Sequence, residues 1–128
     1  MKKLGIFLLV ALLLTACGQD TEKDREAVYL NITAQEAKEL MDTQKDYMIL
    51  DVRTKAEYDS GHIPGAKLIP NTEIQERAEK ELPDKDQLIL IYCRSGNRSK
   101  QAANILVKLG YTNIREFGGI NDWPYEVE

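Results

Sequence analysis

The chain lacks an excess of basic side chains, an internal repeat and an apolar segment long enough to span a membrane. It has 17 basic against 21 acidic residues, a formal net charge of −4. Such a chain is a poor candidate for binding nucleic acid or an anionic lipid surface. The longest apolar run, residues 4–14, is too short for an anchored membrane-spanning helix. The remaining length suits one small domain.

The first 16 residues predict a secretory signal. Residues 1–3 are basic, and residues 4–14 form an apolar core without a polar face, which disfavours the alternative of a buried N-terminal helix. Residues 14–17 (Leu-Thr-Ala-Cys) resemble a bacterial lipobox, which implies cleavage before Cys17 and attachment of lipid such as palmitate to that cysteine. Simple secretion is the alternative. We therefore expect a lipoprotein of the cell envelope, anchored to the extracytoplasmic side of a bacterial membrane.

A flexible tether is expected to follow the lipid anchor. Residues 17–26 are polar and charged without apolar periodicity, and such a segment spans on the order of 17 Å. Cleavage after residue 16 removes Lys2 and Lys3, leaving 15 basic against 21 acidic side chains and a formal charge of −6. The expected mature protein, residues 17–128, is therefore acidic, and its folded part is a domain of residues 27–128 that we expect to be monomeric.

The scarcity of cysteine and histidine limits the chemistry of the chain. It has two cysteines, and if Cys17 carries lipid, Cys93 has no partner for an internal disulfide. A persulfide or sulfenic acid on Cys93 would then be discharged by a molecule from outside the chain. The single histidine, His62, lies between a glycine and an Ile-Pro-Gly turn, and we predict a structural role for it because thiolate chemistry does not require it.

Cys93 is predicted to lie where a buried strand is followed by a helix. Residues 87–92 are apolar and β-branched, and residues 99–109 carry apolar side chains at helical spacing. The turn between them is rich in Ser, Gly and Asn, so it can aim several N–H groups at the sulfur. With Arg94, Arg98 and the positive end of the helix, these donors favour a thiolate at neutral pH. The alternative is a small buried hydrophobe.

The rest of the domain alternates short strands with helices, which predicts an α/β fold. Right-handed crossovers would give a parallel sheet of about five short strands with helices on both faces. Ligands bind at the carboxyl ends of the strands in such sheets, where the turn after Tyr92 lies. The predicted strands are residues 30–32, 47–52, 66–69, 87–92 and 113–117, and the predicted helices follow caps at Thr33 and Thr54 or span residues 72–82 and 99–109.

Several separated motifs resemble single-domain rhodaneses, the sulfurtransferases that carry a sulfane sulfur as a cysteine persulfide. The resemblance covers about residues 30–123 in the family's order, and the chain is too short for the tandem arrangement of some rhodaneses. The motifs are Leu50-Asp51-Val52-Arg53, Glu57-Tyr58, Gly61-His62-Ile63-Pro64-Gly65-Ala66, Cys93-Arg94-Ser95-Gly96-Asn97-Arg98-Ser99 and Gly118-Gly119-Ile120-Asn121-Asp122-Trp123.

This resemblance implies a thiosulfate sulfurtransferase in which Cys93 is catalytic. Its sulfur would attack the outer sulfur of an anionic donor such as thiosulfate or a persulfide, and pass that sulfur to a thiol or cyanide-like acceptor. We expect no cofactor and no metal. Donor binding is assigned to Arg94, Ser95, Gly96, Asn97 and Arg98, with Arg98 expected to matter more than Arg94 although the sequence does not rank them. Structural support is assigned to an ion-pair network of Asp51, Arg53 and Glu57, to Ser99, and to Trp123 as a hydrophobic plug.

Two alternatives stay open at this point. Cysteine-dependent phosphatases and arsenate reductases have five residues between the cysteine and an arginine, whereas Arg98 comes one place earlier and Ser99 takes that position. The shorter loop suits a single sulfur better than a phosphate. The second alternative is a non-catalytic envelope module that carries a persulfide or binds a partner protein.

Overall fold

The computed structural model describes residues 28–128, in which strands and helices alternate along the chain. The strands are β1 (Leu30–Asn31), β2 (Tyr47–Asp51), β3 (Lys67–Leu68), β4 (Leu88–Cys93) and β5 (Ile114–Gly119). The helices are α1 (Ala34–Thr43), α2 (Lys55–Asp59), α3 (Ile74–Glu81) and α4 (Asn97–Lys108). All strand pairs are parallel, in the order β1-β5-β4-β2-β3. The predicted α/β fold is therefore confirmed.

Strand β4 lies at the centre of the sheet and is buried along its whole length. Because successive side chains of a strand point to opposite faces, the strand contributes to two separate cores. Ile89, Ile91 and Cys93 join a cluster with residues of α3 and α4. Leu90 and Tyr92 join a second cluster on the other face, with Ala37 of α1 among its members. The sulfur of Cys93 therefore faces the side of the sheet that α4 covers.

Helices α1 and α2 both begin at the threonines that the sequence predicted as caps. Thr33 accepts a hydrogen bond from the backbone N–H of Glu36, whose side chain accepts one in return from the N–H of Thr33. Thr54 and Glu57 form the same reciprocal capping box at α2. Each pair satisfies two N–H groups that a helix start leaves without partners.

The boundaries around Cys93 differ from those predicted. Strand β4 continues by one residue to Cys93, and β5 continues beyond residue 117 through Gly119, because Cys93 pairs with Gly119 after an irregularity in the register. Helix α4 begins at Asn97, two residues before the predicted start, because Gly96 adopts a left-handed φ of 111° that turns the chain directly into the helix. The turn after the strand is therefore shorter than expected.

The helix predicted over residues 72–82 is also shorter than expected. Its first part, Asn71–Glu73, is a 3₁₀ helix, and only α3 is α-helical. Leu82 is the C-cap and is followed by Pro83, which ends the helix as predicted.

The predicted signal, the lipid-bearing Cys17 and the tether lie outside the described residues. In residues 28–128, no helix is both long enough and apolar enough to cross a bilayer.

Candidate active site

The sulfur of Cys93 lies inside a turn formed by residues 93–99, here called the Cys93 loop. The side chain is at the end of β4, and the residue is 1% exposed. The backbone N–H of Gly96 donates a hydrogen bond to Sγ at 2.9 Å, and Ser99 Oγ lies 3.4 Å from Sγ. Ser95 and Ser99, in the same turn, also contribute to lowering the pKa of the Cys93 thiol. Among the amides of the loop, that of Gly96 therefore lies at hydrogen-bonding distance from the sulfur.

These donors act on the ionisation of Cys93. Burial raises the pKa of the thiol, but hydrogen bonding by Ser99, Gly96 and Ser95 together outweighs burial, so the pKa of Cys93 lies below its ordinary value. Since a thiolate is the nucleophilic form of cysteine, the site favours the reactive state of its sulfur. The interpretation of Cys93 as an inert hydrophobe is therefore disfavoured by its surroundings.

Strand β5 packs against the outside of the Cys93 loop at a point that admits only glycine. A Cβ atom added at Gly119 would overlap the backbone of Arg94 and the nitrogen of Ser95. The carbonyl of Arg94 accepts a hydrogen bond from Asn121 N at 3.2 Å, which ties the loop to the segment after β5. Gly119 therefore allows the close approach that keeps the loop folded over the sulfur.

Arg98 is held by a carboxylate from a distant part of the chain. Its guanidinium donates two hydrogen bonds to Glu57, at 2.7 and 2.9 Å, in a bidentate pair. The hydrogen bonds from Arg98, aided by those from Thr54 and opposed by burial, lower the pKa of Glu57 from 4.5 to about 2. The predicted network of Glu57 with Asp51 and Arg53 needs correction, because the carboxylate of Glu57 bonds to Arg98 and to its own cap instead.

Asp51 and Arg53 form a separate, buried network at the end of β2. Arg53 donates to both carboxylate oxygens of Asp51, the shortest contact being 2.7 Å, and to the carbonyl of Gly61 at 2.7 Å. Tyr92 donates to Asp51 at 2.6 Å and accepts from the N–H of Ile63 at 3.1 Å. Burial and the hydrogen bond to Asp51 raise the pKa of Tyr92, so its hydroxyl stays a donor. The sequence analysis missed Tyr92, which is a polar end on an otherwise apolar strand.

The remaining predicted residues lie around the loop in different roles. Arg94 and Asn97 are exposed, and Asn97 is the first residue of α4. His62 stacks on Tyr58 and lies 3.2 Å from a carboxylate oxygen of Glu128. These contacts are consistent with its predicted structural role. Trp123 packs against Phe117 in the α1-side cluster, the position predicted for a hydrophobic plug.

Glu116 is the second residue that the sequence analysis missed. Its carboxylate, 2% exposed, accepts a hydrogen bond from the Ser99 hydroxyl at 2.6 Å and one from Gly118 N at 2.9 Å. Ser99 therefore connects the nucleophilic sulfur to a buried charge on β5. The signal that could have found Glu116 is an acidic residue at a buried position of an apolar strand.

Comparison with known proteins decides the family. A profile of the rhodanese-like domain matches residues 33–125, most of the chain. This chain belongs to the rhodanese-like family. It is 40% identical over 73 residues to the thiosulfate sulfurtransferase PspE of Escherichia coli, covering 57% of this chain and 70% of that protein.

Three further matches extend the comparison. A sulfurtransferase of Allochromatium vinosum is 44% identical over 85 residues, covering 66% of this chain and 77% of that protein. A solved structure, a rhodanese with anions from Escherichia coli, aligns with a TM-score of 0.61 and 35% identity over 64% of this chain and 96% of its own. The chain spans only 27% of a larger relative, the adenylyltransferase and sulfurtransferase UBA4 of Candida albicans. Together, the family and these relatives support sulfur transfer in general.

Replacing Gly119 with alanine is expected to disrupt the Cys93 loop. The added Cβ has no space beside Arg94, so we expect a loss of about 3 kcal/mol in the free energy of unfolding, measured by urea denaturation. Gly118→Ala is the matched control. Gly118 has a left-handed φ of 86° but open space around it, and its replacement should cost about 1 to 2 kcal/mol. Equal losses in the two variants would contradict the steric role of Gly119.

The ion pair of Glu57 and Arg98 predicts a specific acid sensitivity. Because the folded-state pKa of Glu57 lies below its ordinary value of 4.5, the pair contributes stability above that pH and loses it as the pH falls toward about 2. The difference in free energy of unfolding between the wild type and Glu57→Gln should therefore shrink over this interval, as measured by urea denaturation at a series of pH values. Arg98→Met, which removes the cation of the pair, should lose the same pH-dependent part of the free energy of unfolding. Parallel stability curves for wild type and Glu57→Gln would contradict this assignment.

Proposed function

We propose that this chain is a rhodanese-type sulfurtransferase that carries a sulfane sulfur as a persulfide on Cys93. The observation that carries the proposal is the hydrogen bond that the Gly96 N–H donates to the buried sulfur at 2.9 Å, at a thiol whose pKa is lowered by Ser99, Gly96 and Ser95. Donors placed at this sulfur stabilise a thiolate before transfer and can stabilise the negative outer sulfur of a persulfide after it. Family membership and relatives named as sulfurtransferases support the same chemistry.

The proposed reaction is a double displacement through one covalent intermediate. The Cys93 thiolate attacks the outer sulfur of thiosulfate or a persulfide, a new S–S bond forms, and the old S–S bond breaks. With thiosulfate, sulfite leaves with the electron pair of the broken bond, and the charge remains on the outer sulfur of Cys93–S–S⁻. An acceptor such as cyanide or a thiolate then attacks that outer sulfur, which leaves as thiocyanate or a new persulfide. The Cys93 thiolate is regenerated, so protons and electrons balance without a cofactor.

The ion pairs divide the two arginines of the loop between different tasks. The guanidinium of Arg98 binds both carboxylate oxygens of Glu57, so its bidentate binding site is already occupied within the protein. Among residues 28–128, Arg94 takes part in no ion pair and is exposed at the rim. We therefore assign the attraction of the anionic donor mainly to Arg94, and the shape of the loop to Arg98. This reverses the order of importance expected from the sequence.

A phosphate-sized substrate is less well matched to the Cys93 loop. Ser99, which takes the place of the arginine in cysteine-dependent phosphatases, is bonded to the buried carboxylate of Glu116. At this position the loop therefore offers no guanidinium that could bind a tetrahedral phosphate in bidentate fashion. The sulfurtransferase proposal is favoured for this reason.

We further propose that the domain is held at the outer surface of a bacterial membrane by lipid on Cys17. The support comes from the sequence alone, since the lipobox-like residues 14–17 follow a basic and apolar leader. Two or more acyl chains would anchor it stably, because each buried methylene contributes about 0.8 kcal/mol. The proposed donors and acceptors are then small anions and thiols of the cell envelope.

The persulfide can be tested by intact mass spectrometry. Thiosulfate is expected to add one sulfur atom to the full chain, and cyanide is expected to remove it. Cys93→Ser should show no gain. Ser95→Ala should retain it, because the Ser95 side chain is exposed and the substitution leaves the backbone of the loop intact. The same mass change in wild type and Cys93→Ser would exclude the persulfide on Cys93, and hydrolysis of an aryl phosphate by the wild type would favour the phosphatase alternative.

Lipid attachment can be tested by expressing the full chain in bacteria supplied with labelled palmitate. We expect label on the wild type and its recovery in the membrane fraction, because the lipobox directs acylation to Cys17. Cys17→Ser should be unlabelled, whereas Cys93→Ser, the matched control, should be labelled like the wild type. Label that persists in Cys17→Ser, or an unlabelled wild type, would contradict the proposed anchor.

A further inference from the structure

Glu116 is a buried carboxylate that the reaction described above does not use. It lies on β5, in register with Ile91 of the neighbouring strand β4, and is 2% exposed. Oε1 accepts from the Ser99 hydroxyl at 2.6 Å and from Gly118 N at 2.9 Å, while Oε2 lies 3.5 Å from the ammonium of Lys100. Carboxylates are rarely buried without such partners, because desolvation of the charge is costly. Its position two hydrogen-bond steps from Cys93 requires an explanation.

The Ser99 hydroxyl can donate only one hydrogen bond, and several acceptors compete for it. Glu116 Oε1 is at 2.6 Å, the carbonyl of Gly96 at 3.0 Å, and both the sulfur of Cys93 and the carbonyl of Gly118 at 3.4 Å. A charged acceptor at the shortest distance forms the strongest bond. When the hydroxyl donates its hydrogen bond to Glu116, the sulfur faces the lone pairs of the hydroxyl oxygen. The sulfur then lacks the hydroxyl as a donor.

We propose that Glu116 is a positioning residue. Its carboxylate accepts the hydrogen bond of the Ser99 hydroxyl and so limits the hydrogen bonding that the Cys93 sulfur receives. The loop amides keep the sulfur ionised, and Glu116 prevents the hydroxyl from stabilising it further. A less stabilised thiolate is a stronger nucleophile, because nucleophilicity falls as the thiol pKa falls.

The consequence for catalysis rests on the function proposed above. Once Cys93 carries a second sulfur, the negative charge lies on the outer atom, and Sγ no longer needs the hydroxyl. Ser99 can then remain bonded to Glu116 without loss. The carboxylate therefore raises the free energy of the empty thiolate relative to the loaded persulfide, and favours uptake of sulfur.

Several other charged groups lie near Glu116 and Cys93 and affect the titration of the Cys93 thiol. The ammonium of Lys100 lies 3.5 Å from Glu116, and the guanidinium of Arg98 interacts electrostatically with Cys93. All of them remain in the Glu116 and Ser99 variants used below, so they cannot account for differences between those variants. The surrounding charged groups are Lys100 and Arg98 of α4, Glu57 of α2, Asp51 and Arg53 at the end of β2, and Arg94 of the loop.

The proposal is tested by the pH dependence of Cys93 alkylation. Iodoacetamide reacts with the thiolate, and mass spectrometry of the peptide that contains Cys93 follows its rate in the full chain. Glu116→Gln leaves a weaker, uncharged acceptor for Ser99, which frees the hydroxyl for the sulfur. The pH at which the alkylation rate is half its maximum, here called the midpoint, should therefore fall by about one pH unit. Glu116→Asp keeps the charge but withdraws it from Ser99, and should also lower the midpoint.

Two comparisons separate this role from a simple charge effect. In a Ser99→Ala background, Glu116→Gln should leave the midpoint nearly unchanged, because Glu116 acts through the hydroxyl. The proposal is wrong if Glu116→Asp matches the wild type, if Glu116→Gln shifts the midpoint equally with and without Ser99, or if Glu116→Gln raises it. The last result would make Glu116 the acceptor of the thiol proton.

A surface variant provides the test if changes at the buried Glu116 prevent folding, as judged by circular dichroism. Lys100 is half exposed and lies against Glu116. Lys100→Met should strengthen the hold of Glu116 on the hydroxyl and raise the alkylation midpoint, and an unchanged or lower midpoint would overturn the proposal. Alkylation does not depend on sulfur transfer, so a failed persulfide assay would leave this result intact, and the converse also holds.

Discussion

A negatively charged sulfur can be buried at the end of a central strand only where hydrogen-bond donors surround it. Burial of an unpaired charge is costly, and the amides of the Cys93 loop offset that cost at a residue that is 1% exposed. Two glycines make the arrangement possible. Gly96 adopts the left-handed backbone that points its N–H at the sulfur, and Gly119 lets β5 approach the loop from outside. The site therefore depends on the backbone geometry of these two glycines as well as on its side chains.

Two polar networks from different segments hold the surroundings of the loop. Glu57 of α2 binds Arg98 of α4, and thereby fixes the start of that helix to a segment 41 residues away. Asp51 and Arg53 hold the end of β2 and connect through Tyr92 to the segment after α2. The two networks do not share a carboxylate. Each one fixes a different wall of the site while leaving Arg94 at the rim.

Side chains alternate between the two faces of the sheet along β4, so the reactive sulfur and the hydrogen bonds that support the site lie on opposite faces. Tyr92 and Cys93 are neighbours in sequence but point to opposite faces of the sheet. The tyrosine hydroxyl completes the Asp51 network on one face, and the sulfur meets the start of α4 on the other. Glu116 reaches the sulfur side from β5 through Ser99, so three elements control one atom.

The α/β fold, the capping threonines Thr33 and Thr54, and the place of Cys93 beside a donor-rich turn could all be predicted from sequence. These features depend on local periodicity, capping and turn chemistry, which a few neighbouring residues define. The pairing of Glu57 with Arg98, and the roles of Tyr92 and Glu116 in supporting the site, became evident from the folded chain alone. Those contacts join residues 17 to 41 positions apart. They depend on strand order, register and the closeness of packing at Gly119, which no local pattern specifies.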